Sequence, residues 1–270
     1  SKGGAASVPI ALAAWIYHIP ILMHDSDAVA GRANRWVSRL AKRIAIAYEH
    51  ARQYFPRDKV MLTGNPVRQE VLGADRVESR EYFQFDTERP LILIMGGSLG
   101  ARALNHLMIK VLPELLERNI QILHLVGEPH LEEVRALAEA KGIGRDREDY
   151  RPVPFLQAAD MGRAYAAADM VIARAGAGSI TELAALKKAS ILVPLPTAAN
   201  DEQRINAYEV AKTKGAIVLE EANVSEHLLV SLVEELLADA ERRHRMGEAI
   251  HTFYHPDAAK LIAEGVISMY

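Results

Sequence analysis

Residues 169–206 read DMVIARAGAGSITELAALKKASILVPLPTAANDEQRIN, and the architecture of the chain follows from their order. Residues 170–173 are a short apolar run of the kind that makes a buried parallel strand. Ala175-Gly176-Ala177-Gly178 follows, and a helix is expected to start at Ser179. A strand that breaks at glycines and re-enters a helix aims free backbone N–H groups at one point. The helix dipole adds partial positive charge there, which suits a phosphate. A second apolar strand, residues 190–193, ends at Pro194, and a polar loop leads to another helix near Asp201. Two successive strand ends thus face one space, where ligands sit in open α/β sheets. Glu182 fits two roles here. Ser179-Ile180-Thr181-Glu182 has the spacing of a capping box, with Glu182 folded back onto its cap. A carboxylate at the mouth of a phosphate site also suits a ribose diol. Spacing leaves both open.

Outside this stretch, composition narrows the classes. The chain has 270 residues, half of them hydrophobic, enough for one large or two ordinary domains with full cores. A net charge of −3 gives no general attraction to nucleic acid. The absence of cysteine excludes disulfides and thiolate metal sites, and the ten histidines show no HExxH spacing. No GxSxG elbow marks a serine nucleophile. No signal-peptide pattern opens the chain. The longest apolar stretch, residues 8–23, is broken by His18 and Pro20 and is too short to cross a membrane.

Read in order, Gly3, Gly4, Ser7 and Pro9 form a turn opening a helix over residues 10–17. A buried strand over 19–23 then delivers His24-Asp25-Ser26-Asp27, which on pattern alone reads as a surface turn. An amphipathic helix is expected over 31–43, with Trp36, Leu40 and Ile44 on one face. Its basic residues, Arg32, Arg35, Arg39, Lys42 and Arg43, read as a solvated face or as contacts to anionic lipid or pyrophosphate. Strands over 44–48 and 60–62 follow, the latter ending in the sharp Gly64-Asn65-Pro66 bend. Residues 73–89 are charged and weakly apolar, and mark a boundary between two sheets. Beyond it come a strand over 91–95, the turn Gly96-Gly97-Ser98-Leu99-Gly100-Ala101, and a helix carrying Leu104, Leu107, Met108, Val111, Leu112 and Leu115 on one face. Further strands are expected over 122–126, 153–155 and 216–219, with helices over 131–140, 161–168, 225–237 and 257–268. Gly215 is expected to stop the helix that begins near Asp201. Strands alternating with helices throughout give parallel, doubly wound sheets.

Four segments together resemble the MurG family, peripheral membrane glycosyltransferases that make lipid II in peptidoglycan synthesis. They are Thr63-Gly64-Asn65-Pro66-Val67-Arg68, Gly96 to Ala101, Arg174 through Glu182, and Ala199-Asn200-Asp201-Glu202-Gln203, in the family's order. The resemblance implies an α/β GT-B fold of two Rossmann-like, doubly wound parallel-sheet domains, the first incomplete. Residues 1–67, with 257–270 packing back on them, would be the acceptor and membrane side, and 68–256 the UDP-GlcNAc-binding domain. By the same resemblance Arg68 lies by uracil, Ser98 bonds a diphosphate oxygen, and Leu156 sits where backbone groups read the base. Ala177, Gly178 and Ser179 offer N–H groups to phosphate, Glu182 binds the ribose, and Gln203 recognises the hydroxyls of N-acetylglucosamine.

The chain also departs from the family. The usual His-Glu-Gln-Asn is His24-Asp25-Ser26-Asp27, so Asp27 stands where an asparagine contacts donor and acceptor. Ala5 replaces an aromatic residue, and Arg204 a glutamine found in some members. The family's opening strand, its GGTGGH-type loop and its membrane patch have no counterpart ahead of Ser1. Donor binding without acceptor turnover is therefore expected of this stretch alone.

The reaction implied is inverting transfer of N-acetylglucosamine from UDP-GlcNAc to lipid I, with no cofactor and no metal, at the inner face of the cytoplasmic membrane. Asp27, or Asp25, is the candidate for the base that takes the acceptor proton. Two other readings stay open. One is the donor-binding half of a split transferase. The other is a non-hydrolysing UDP-sugar epimerase of the same architecture.

Overall fold

The computed structural model describes residues 1–4, 6–97 and 100–269. Its first part runs α1 (Ser7–Ile16), β1 (Leu22–Asp25), α2 (Arg32–Val37), β2 (Arg43–Ile46) and β3 (Val60–Leu62). The three strands pair in parallel in the order β1-β2-β3. Its second part runs α3 (Arg76–Tyr82), β4 (Leu91–Met95), α4 (Arg102–Glu117), β5 (Gln121–Leu125), α5 (Leu131–Glu139), β6 (Tyr150–Val153), α6 (Ala158–Ala167), β7 (Met170–Ala173), α7 (Ala177–Ala185), β8 (Ser190–Leu192), α8 (Glu202–Lys212), β9 (Ala216–Val218), α9 (Glu226–Ala238), α10 (Ala240–His251) and α11 (Ala258–Ile267). Six parallel strands lie in the order β6-β5-β4-β7-β8-β9. The expected α/β architecture of two parallel sheets is what the chain forms.

The central strands read as unbroken apolar runs because both of their faces are covered. Ile92 and Ile94 of β4 pack with Leu104, Met108 and Leu112 of α4 and with Leu229 and Val233 of α9. Leu91, Leu93 and Met95 point the other way, onto Tyr165 of α6, Ile180 and Leu183 of α7 and Val210 of α8. From β4 the chain winds outward to β6, then returns to β7 and winds the opposite way to β9. The crevice beyond the carboxyl ends of β4 and β7 is the switch point of such a sheet.

Several expectations are corrected. The first strand begins at Leu22 rather than residue 19, and it carries His24 and Asp25 inside the sheet, both buried. They are not a surface turn. The helix expected over 31–43 ends at Val37, because residues 43–46 are drawn into the sheet and Ile44 is wholly buried as a strand residue. The strand expected over 153–155 is Tyr150–Val153 instead. It is an edge strand, so Pro152 leaves no central ladder bond unmade. The left-handed residue closing α8 is Lys214, with φ 65°, not Gly215.

α3 and α10 arise where no helix was expected. α3 is held by Arg80, whose side chain is fully buried. Its guanidinium donates to the carbonyls of Ala167, Asp86, Thr87 and Arg89 and pairs with Asp169 at 2.8 Å. The charged stretch 73–89 is thereby docked against α6 rather than left as a bare linker.

Contacts from the far end of the chain reach the first sheet. Ile262 of α11 and Met269 pack with Leu22, Ala45 and Met61, and Lys42 Nζ donates to the Met269 carbonyl at 3.0 Å.

Candidate functional site

The turn after β7 builds the centre of the site. Gly176 is the N-cap of α7, so the helix starts at Ala177, two residues earlier than expected, and Ser179 lies inside its first turn. No side chain caps this end and no acidic residue sits in the first turn, so the capping box does not form. Ile180 N–H is the first to be bonded within the helix, to the Gly176 carbonyl at 3.0 Å. The N–H groups of Ala177, Gly178 and Ser179 precede it at the helix's positive end. The facing helix α4 likewise starts without a side-chain cap, from Ala101. Ser98 and Leu99, in the turn before it, lie outside the described residues, as does Ala5.

Glu182, released from any capping role, points into a cavity of about 340 Å³ lined by Arg68, Met95, Gly97, Phe155, Leu156 and Ser179, with Gly178 at its edge. Its Oε1 accepts from Arg68 Nε at 3.1 Å and Nη2 at 2.7 Å. Its Oε2 accepts from the Tyr165 hydroxyl at 3.1 Å. The Arg68 side chain is 50% exposed and that of Glu182 only 13%, so the arginine covers the carboxylate from the solvent side. Leu156 is half-buried on the turn after β6, beside the exposed Phe155. Five of the expected contact residues, Arg68, Leu156, Gly178, Ser179 and Glu182, therefore line one cavity at the switch point. Ala177 is buried and is not among the residues that line it.

A second group lies where β1 meets α7 and α8. The fully buried Asn206 donates from Nδ2 to Asp27 Oδ1 at 2.8 Å and to the Ala175 carbonyl at 3.3 Å, while its Oδ1 accepts from Ala28 N–H at 2.7 Å. Asp27 is thereby tied to the loop that opens α7. Asn65, from the Gly-Asn-Pro bend, donates to the Ser26 carbonyl and to Thr181 Oγ1, itself bonded to the Ala177 carbonyl at 2.7 Å. Gly64 holds φ 75° with His255 so close that a Cβ would lie 2.5 Å from the ring, which is why the bend needs glycine.

Burial sets the electrostatics of this group. Asp25 is pushed up to about 6 by burial, although Asn34 Nδ2 donates to it at 3.0 Å. Asp27 is raised by burial against the opposing bond from Asn206. Glu202 is raised by burial and then by the charges of Asp27 and Asp25. Burial lowers the His24 imidazole, whose Nε2 lies 3.0 Å from the Gly64 carbonyl. Gln203 is half-buried and accepts the Leu195 N–H at 3.0 Å, outside the residues lining the Glu182 cavity. Among the described residues no set of three His, Asp or Glu side chains is placed to hold a metal ion.

Tyr165 and Asn206 were given no role from sequence, and Thr181 and Glu202 entered only as members of longer motifs. Glu182, Asp27 and Asn65, which Tyr165, Asn206 and Thr181 meet, lie on other elements or far along the chain, and local pattern does not report such contacts.

Residues 91–262 match the model of the glycosyltransferase family 28 C-terminal domain. The chain is 35% identical over 269 residues to a UDP-N-acetylglucosamine–N-acetylmuramyl-(pentapeptide) pyrophosphoryl-undecaprenol N-acetylglucosamine transferase of Flavobacterium psychrophilum. That match spans 99% of this chain and 71% of the relative. It superposes on MurG of Acinetobacter baumannii with a TM-score of 0.78 and 30% identity, covering 99% of this chain and 73% of that one. A UDP-N-acetylglucosamine 2-epimerase of Neisseria meningitidis, bound to UDP-GlcNAc, gives 0.71 at 12% identity, over 99% and 75% of the two chains. The last likeness is one of fold alone.

Proposed function

Since the chain belongs to the MurG family of glycosyltransferases, we propose that the cavity around Glu182 holds the donor of its reaction. That reaction moves N-acetylglucosamine from UDP-GlcNAc to lipid I and yields lipid II. The observation that carries the assignment is the convergence of Arg68, Leu156, Gly178, Ser179 and Glu182 on one cavity at the switch point. Glu182 receives the ribose diol, and Arg68 and the turn carrying Leu156 frame the uracil. The uncapped start of α7 takes the diphosphate, and the family resemblance assigns one of its oxygens to Ser98. Gln203 and the αL pair before it, Asn200 and Asp201, meet the sugar.

In the transfer, the C4 hydroxyl of the muramyl sugar attacks C1 of N-acetylglucosamine as the bond from C1 to the β-phosphate oxygen breaks, inverting C1. The hydroxyl proton passes to a carboxylate and UDP leaves with the bonding pair. Asp27 is our candidate acceptor, because burial raises its proton affinity and Asn206 fixes it beside the α7 loop. The negative charge developing on UDP is met by the N–H groups and dipole of α7.

Residues 1–67 with the last helix form the acceptor side, and 68–256 the donor side. Packing of Ile262 and Met269 on Leu22 and Met61 supports that division. No helix among the described residues is long and apolar enough to cross a membrane. Attachment to a membrane surface is supported by α1 and the residue that follows it, where Ile10, Trp15, Ile16 and Tyr17 are all more than half exposed.

The test is transfer of labelled N-acetylglucosamine to a lipid I analogue in anionic vesicles, with vesicle-bound protein measured by sedimentation. In a polypeptide that carries the family's GGTGGH-type loop the expected outcome is a β-linked disaccharide; residues 1–270 alone are expected to bind the donor and to pellet with the vesicles, the latter lost in Trp15→Glu. Epimerisation of the donor sugar at C2, without transfer, would contradict the assignment.

A further inference from the structure

The two oxygens of Glu182 are held differently. Oε1 takes two bonds from Arg68, a side chain half exposed on a short turn and free to move away. Oε2 takes one bond from Tyr165, whose side chain is wholly buried between β4 and α7 and cannot leave. The Tyr165 hydroxyl has one proton and two neighbours, Glu182 Oε2 at 3.1 Å and Met95 Sδ at 3.3 Å. A carboxylate is far the better acceptor, so the proton goes to Glu182. The oxygen that receives it keeps its remaining lone-pair direction toward the cavity.

A carboxylate that is to accept from both hydroxyls of a ribose must not rotate about its own axis. In the structure Arg68 and Tyr165 share that duty. Once a nucleotide's hydroxyls take the place of Arg68 on Oε1, Tyr165 is the protein group left holding the plane of the carboxylate. We infer that Tyr165 is a positioning residue for donor recognition, orienting Glu182 so that both of its oxygens meet a vicinal diol. The inference rests on the reading of Glu182 as the ribose contact. It adds a selectivity: the site distinguishes nucleotides with a diol from those without, and loses this when the tyrosine hydroxyl is removed.

The test uses the whole chain, UDP and 2′,3′-dideoxy-UDP, with dissociation constants from calorimetry. Tyr165→Phe keeps the ring in the core and deletes only the donor. It is expected to weaken UDP by about tenfold, the scale of one charge-assisted hydrogen bond, and dideoxy-UDP by less than twofold. Glu182→Gln is expected to lose the same preference for the diol, and the double variant to bind UDP no more weakly than Glu182→Gln. Equal weakening of both nucleotides by Tyr165→Phe would mark a packing role and overturn the inference, as would no change in either. A preference that survives Glu182→Gln would overturn the ribose reading itself. One lost in Glu182→Gln but intact in Tyr165→Phe would leave that reading standing and remove only the role of the tyrosine.

Discussion

Asp25 shows at the scale of one residue how burial converts into pH dependence. It is 2% exposed, with Asn34 Nδ2 and the Asp27 N–H as donors, yet burial outweighs both and holds its carboxyl at about 6, against 3.8 when unperturbed. Between those values the folded chain keeps a proton that the unfolded chain has released. Stability therefore falls as pH rises from about 4 to about 6, by roughly 3 kcal/mol from this group, and stays lower above that window. Asp25→Asn, which cannot ionise, should melt higher than the parent at pH 7.5 and equally at pH 4, as read by calorimetric scans across that range. A parent-like melting temperature at pH 7.5 would show that Asp25 ionises without cost.

Little of this was legible in the sequence. His24-Asp25-Ser26-Asp27 looks like a turn because four polar residues in a row carry no apolar period. Two of them are drawn into the sheet by the parallel pairing of β1 with β2, 21 residues further along the chain and invisible to local pattern. Glu182 and Arg68 were each legible as site residues, but their pairing was not, nor was Tyr165 as the third member. Arg68 and Tyr165 are 114 and 17 residues away and come from different elements.

Among the elements, the strands buried on both faces were the readable part. β4 and β7 were bounded correctly because unbroken apolar runs leave few alternatives, as was β3. α3 was missed because its anchor is a buried arginine, and α10 because only Met246, Gly247 and Ile250 of its twelve residues are buried. The start of α7 was missed by two residues. Ser179 satisfies the letter of a capping box, yet the helix begins at the glycine where the chain leaves β7.

The equivalent turn after β4 is tighter still. Gly100 has φ 75°, and a Cβ there would lie 2.1 Å from the Val126 carbonyl oxygen, backbone that cannot step aside. Gly100→Ala should cost about 3 kcal/mol or more from strain and overlap together, lowering the melting temperature by several degrees. It should also weaken UDP, because the start of α4 would shift. An unchanged melting temperature would contradict the crowding at Gly100.

At the scale of the whole molecule, the two sheets are joined by polar and apolar contacts rather than by sequence continuity. Asn206 ties Asp27 and Ala28 to the loop before α7, Asn65 reaches Thr181, and the last helix returns to Leu22 and Met61. These links hold Asp27 at a fixed place beside the loop that opens α7, the arrangement an in-line displacement on the proposed donor requires. The family resemblance in the motifs carried the architecture and the function. The links themselves are long-range, and only the folded chain displays them. The most direct measurement is a crystal structure of the chain with UDP-GlcNAc. The ribose hydroxyls are expected on Glu182 with Tyr165 still bonded to Oε2, the diphosphate at the N–H groups of residues 177–179, and Arg68 displaced toward the uracil. A nucleotide bound elsewhere, or one bound with the Arg68–Glu182 pair intact, would contradict it.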